Sequence, residues 1–146
     1  RGESAGTAQA SRIAVALNHA GTAIGRELAF SDNLDSQAHS GKLAIATGPR
    51  GTADGLMAIA LGREGRAVAR AGGTIAIAFY DQHPGHWETP HGCDPCWIDG
   101  DHFLSGLKVA KVGENDIRAD HVYQLDPDGR FVEVGPAGEA RRCADT

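Results

Sequence analysis

Residues 52–80, TADGLMAIALGREGRAVARAGGTIAIAFY, decide how the chain is read. The last seven, TIAIAFY (74–80), are a near-continuous apolar run entered through Gly72-Gly73. Such a run reads as a strand buried on both faces. The part before it reads as a helix. Thr52 is a suitable N-cap, and Asp54 places a carboxylate in the first turn, where it complements the helix dipole. Leu56, Ile59, Ala60, Ala67 and Val68 then make an apolar stripe that Gly72-Gly73 ends. A helix feeding a buried strand implies an α/β layer.

The flanks extend this reading. Residues 1–8 (RGESAGTA) are small and polar and are expected to be a flexible N-terminal segment. Ala10, Ile13, Ala14 and Leu17 follow helical spacing, with Gly21 as the stop. Residues 22–30 and 42–47 read as strands, separated by a polar turn at 31–36. Residues 48–51 (GPRG) are loop chemistry, without the Lys-Ser/Thr of a phosphate loop. Beyond the central stretch, 107–112 (LKVAKV) reads as a strand. Residues 121–125 and 130–134 flank Asp126-Pro127-Asp128-Gly129 and should pair as a hairpin. No internal repeat stands out. The order predicts a single α/β domain over 9–146: a two-layer or three-layer sandwich with one mixed β-sheet and two to three helices.

Composition narrows the function classes. A chain of 146 residues can bury one core, and its eight aromatic residues (two Trp, two Tyr, four Phe) imply a core of small aliphatic side chains. The net charge of −5 and the scattered basic residues argue against a duplex DNA surface. Arg63, Arg66 and Arg70 read as one solvated helix face. A small-molecule or single-stranded nucleic-acid substrate stays open. No run approaches the roughly 18 to 20 apolar residues of a membrane span. A signal peptide is not seen, and the chain begins at Arg1, as a processed product or a domain cut from a longer protein would. The expected setting is soluble, either cytoplasmic or within a secreted protein, with oligomeric state open.

The chemistry-bearing residues concentrate in 83–102. Four of the seven histidines, His83, His86, His91 and His102, lie there with Cys93, Cys96, Glu88, Asp94, Asp99 and Asp101. Thiolate and imidazole are the preferred donors for zinc. Asp94-Pro95 supplies a turn that aims both sulfurs the same way. Cys93 and Cys96, with His91, His86 or His83, are therefore the candidate metal ligands, and zinc the expected cofactor. A zinc with three protein ligands would hold an activated water, and a carboxylate must then move protons. Glu88 and Asp54 are the candidate catalytic residues. The bland readings are a Cys93–Cys96 redox pair and histidines on an exposed loop. Trp87 and Trp97 either stack on a ligand or cover the loop. Cys143 is either free or paired with Cys93 or Cys96.

Residues 52–112 resemble the zinc-dependent cytidine deaminase superfamily, over about 60 of the 146 residues. Thr52-Ala53-Asp54 stands where that family opens a helix with His/Cys-Ala-Glu. TIAIAFY follows as a strand, then Pro90-His91-Gly92-Cys93-Asp94-Pro95-Cys96 in place of Pro-Cys-x-x-Cys, then LKVAKV. Thr52 replaces a metal ligand and Asp54 replaces the proton-shuttling Glu, so the resemblance requires a neighbouring histidine to complete the site. A second likeness, of residues 80–85 to the His-x-His-Pro loop of JAB/MPN metallopeptidases, puts Asp81 where the first His belongs. The resemblance to deaminases implies a zinc-dependent hydrolase acting on an amino-bearing base or nucleoside. The alternative is a non-catalytic binding or interaction domain with a structural zinc or disulfide at Cys93/Cys96.

Overall fold

A computed structural model describes residues 6–82 and 102–136. Among the described residues there are eleven strands and no helix. The α/β sandwich is therefore corrected to an all-β solenoid. Among the described residues no helix is long and apolar enough to cross a membrane.

The chain winds in coils of two short strands each. The first coil holds β1 (Thr7–Ala10) and β2 (Ile13–Ala16), the second β3 (Thr22–Gly25) and β4 (Leu28–Ser31), and the third β5 (Gln37–Ser40) and β6 (Leu43–Ala46). β7 (Thr52–Ala60) and β8 (Arg66–Gln82) each run through both walls of their coil. Stacking is parallel and in register. Thr7 pairs with Thr22, Thr22 with Gln37, Gln37 with Thr52, and Thr52 with Arg66. On the second wall Ile13 pairs with Leu28, Leu28 with Leu43, and Leu43 with Met57. The repeat is thus 15 residues, shortened to 14 where Thr52 pairs with Arg66 and Leu43 with Met57, and lengthened to 17 where Met57 pairs with Thr74.

The interior explains the composition. Inward positions stack as Ala23, Ala38, Ala53 and Ala67 on one wall and Ala14, Ala29, Ala44, Ala58 and Ile75 on the other, all buried. The narrow space between walls admits little more than a methyl group, which is why the core lacks aromatic anchors until its last coil. There the chain changes direction. β9 (His102–Lys111) pairs antiparallel with the second half of β8, and β10 (His121–Leu125) with its first half at Tyr123↔Ala67. β11 (Phe131–Pro136) closes the expected hairpin on β10. Ile117 and Tyr123 are buried against this end of the stack. The Tyr123 hydroxyl accepts from the Arg118 backbone N–H at 2.7 Å and donates to the Asp116 carbonyl at 3.2 Å.

The turns between coils repeat as well. Ala20, Asp35, Arg50 and Glu64 occupy the left-handed region at equivalent positions. Each turn closes by an i to i+3 bond: Gly21 to Asn18, Ser36 to Asn33, Gly51 to Gly48 and Gly65 to Gly62. The turns pile backbone on backbone. A Cβ at Gly48 would collide with the Asn33 carbonyl oxygen, and one at Gly62 with the Gly48 carbonyl oxygen. The opposite corners are shorter, at Ser11-Arg12, Arg26-Glu27 and Gly41-Lys42.

The helix expected from 52 is β7 and the first half of β8, and the helix expected near Gln9 is β1 and β2. The physical reason is that both faces of the second wall take apolar residues. Its inner face takes Ala, and its outer face takes large aliphatics. Runs such as IAVA and MAIA therefore lose the polar alternation of a half-buried strand. They fall instead into apolar spacings that mimic a helix.

Candidate functional site

The structure separates the residues singled out from sequence. Thr52 and Asp54 lie on β7, in extended backbone, not in the first turn of a helix. Glu88, Cys93, Cys96, His91, His86 and His83 lie outside the described residues. The described strands do fix where that segment joins the sheet: Gln82 and His102 are directly paired across β8 and β9, so its two ends meet. Among the described residues, no group of three or more His, Cys, Asp or Glu side chains is arranged to hold a metal ion.

Asp54 has a different partner from the one its sequence position implied. It faces outward from the first wall, yet it is 1% exposed. His39, one coil earlier, is stacked on it by the β5–β7 register. The His39 Nδ1–H donates to Asp54 Oδ2 at 3.0 Å, and His39 Nε2 lies 2.9 Å from Gln37 Oε1. An imidazolium satisfies both contacts as placed, and a neutral ring satisfies them with the Gln37 amide turned over. Either way the carboxylate is occupied. The arrangement holds a buried polar pair together across two coils.

Ionic ladders run along both sets of turns. Arg12 bonds Glu27 at 3.0 Å, and Arg50 bonds Asp35 in a two-pronged contact with both distances 2.9 Å. Arg12 holds the Glu27 carboxyl below its ordinary value, and Arg50 does the same to Asp35. Beside the second ladder is an open cleft of about 590 Å³, lined by Arg63, Arg66, Tyr80 and Gln124 among others. Several of its polar groups are already engaged. Arg66 Nε donates to Gln124 Oε1 at 3.2 Å, Tyr80 donates to the Leu61 carbonyl at 2.7 Å, and Arg50 is held by Asp35. Burial raises the Tyr80 phenol above its ordinary value.

The two walls differ most in what they present outward. The first carries Thr7, Thr22, Gln37, Thr52 and Arg66 in one column, and Gln9, Ile24, His39, Asp54 and Val68 in the next, of which the last four are buried. The second carries Ile13, Leu28, Leu43 and Met57 in one column and Val15, Phe30, Ile45 and Ile59 in the other. No charge interrupts those eight positions. Val109 on β9 continues the second column through Ala76. Ile13 is 55% exposed, Val15 48%, Met57 48% and Val109 58%, so the wall is open rather than packed. Leu17, Leu61 and Leu107 add exposed apolar surface along one border.

Sequence reasoning missed this wall because its residues were assigned to helix stripes and core. The signal that finds it is the 15-residue period, which sets Ile13, Leu28 and Leu43 in one column. No protein-family model, curated protein or solved structure matches this chain.

Proposed function

We propose that the chain is a non-catalytic interaction module, a β-solenoid that offers one flat apolar wall to another macromolecule. The observation that carries this is the outward face of the second wall, apolar and uncharged through four coils, set against a first wall of mixed polar and apolar residues. Exposed contiguous patches of this kind mark association surfaces, whereas singly scattered apolar residues do not. Regular stacking makes the wall flat and rigid, so little ordering entropy opposes binding. Hydrophobic-interaction chromatography tests the reading. Val15→Lys and Ile45→Lys should shorten retention markedly, while Gln9→Lys on the first wall should leave it close to wild type. Equal retention for all three variants would defeat the reading.

A second reading keeps zinc. It is supported by the density of donors at His83, His86, His91, Cys93 and Cys96, in a segment whose ends meet at the paired Gln82 and His102. Zinc there acts as a clip on an inserted segment. Asp54 gives no support to a hydrolytic site, because its buried carboxylate accepts from His39. Metal content of the purified chain, measured with thiol titration, tests the clip. About one zinc per chain, lost in Cys93→Ser, supports it; absence of metal with oxidised cysteines removes it.

A further inference from the structure

The apolar wall fits a second copy of itself, and we infer that the chain forms a two-fold dimer through it. This deepens the interaction reading and rests on it. The geometry points to a two-fold axis parallel to the strands and passing between β6 and β7. Rotation about that axis brings β2 of one copy over β9 of the other, β4 over β8, and β6 over β7. All six strands of the wall are then covered, each running parallel to the strand it meets, and moving the axis by one strand in either direction leaves strands uncovered.

Side-chain size agrees with this register. Phe30, the largest outward residue of the wall, falls opposite the partner's Ala76, the smallest in its column. Val15 meets Val109, and Ile45 meets Ile59; in the other column Leu43 meets Met57, Leu28 meets Thr74, and Ile13 meets Lys111 at the edge, where the ammonium reaches solvent along its alkyl stem. Large against small is how two sheet faces interdigitate at their usual separation of about 10 Å.

The area is also of the right size. The most exposed side chains, about half exposed and each offering on the order of 100 Å², bring the patch to roughly 800 Å² when the half-buried ones between them are added. That exceeds the largest patch usual on a monomer, about 300–600 Å². It equals the roughly 800 Å² per partner of a standard stable interface. An isologous contact needs one self-complementary patch on the chain, which is what this wall supplies, uncharged over β2, β4, β6 and β7 and carrying Lys111 only on its outermost strand.

Sedimentation velocity of the full chain over a concentration series tests this, with far-UV circular dichroism to check the fold of every variant. A dimer is expected, and Ile45→Lys, which sets lysines near one another about the axis, should weaken it about 30-fold or more. Phe30→Ala and Ala76→Phe should each weaken the dimer, and the double variant should recover most of the loss. The recovery is specific to the proposed register. A monomer at all concentrations, or a dimer indifferent to Ile45→Lys, overturns the inference. A trimer dissolved by Ile45→Lys overturns the two-fold pairing and leaves the interaction reading standing. So does a monomer whose binding to neutral phosphatidylcholine vesicles is abolished by Ile45→Lys. A monomer with no such binding loses both.

Discussion

Ser31 sits in an inward column otherwise filled by Ala16, Ala46 and Ala60, and its buried hydroxyl has no hydrogen-bond partner. An unpaired buried hydroxyl destabilises, so Ser31→Ala should raise stability by about 1 kcal/mol in urea unfolding. A loss of similar size would show that the hydroxyl is satisfied. Asp54 behaves oppositely. Asp54→Ala strips the acceptor from the His39 ring N–H and should cost about 1–3 kcal/mol or more, measured the same way. Sequence identified Asp54 as a notable carboxylate but not its neighbour. His39 is 15 residues away in sequence and next to it only because coils stack. That distance is one repeat, and it cannot be seen until the repeat is.

The coil is the element that organises everything else, and its tolerance is set at two places. In the turns, Gly62 lies on the Gly48 carbonyl, and Gly62→Ala forces two backbones apart. About 1–3 kcal/mol of destabilisation is expected from such overpacking, read as a lower thermal midpoint. In the core, Ala44→Leu pushes against both walls and should cost a similar amount. Its effect should be local, because each coil contacts only its neighbours. Hydrogen exchange should rise in β4, β6 and β7 before β9 or β10; uniform loss of protection would contradict this. The ladders add an acid dependence. Glu27 and Asp35 are both depressed in the folded state, so their stabilisation is present above their ordinary values of 4.5 and 3.8 and is lost as pH falls through the folded values. Wild type should lose its advantage over Asp35→Asn between about pH 5 and about pH 2 in thermal melts, and the advantage should shrink with added salt. The strands and the β10–β11 hairpin were legible wherever turn chemistry bounded them. The helices were misread where Ala filled both a strand's inner face and a helical spacing.

At the scale of the molecule, parallel stacking builds two walls of opposite character, and β8, β9 and β10 close one end. The proposed interaction rests on the contrast between the walls and not on a cluster of reactive side chains among the described residues. The sequence by itself determined the size of the core residues, the hairpin at Asp126-Pro127-Asp128-Gly129, and the concentration of metal donors in 83–102. Those properties belong to residue types and to neighbours a few positions apart. Tertiary structure alone decided that Ile13, Leu28, Leu43 and Met57 form one column, that His39 meets Asp54, and that large aliphatics face outward instead of inward. A strand's side chains alternate between two faces, but which face meets the core is fixed by the wall opposite. Here that wall lies so close that alanine and Ser31 fill the space through the early coils, isoleucine enters only at Ile75 and Ile77, and most of the larger side chains are left outside.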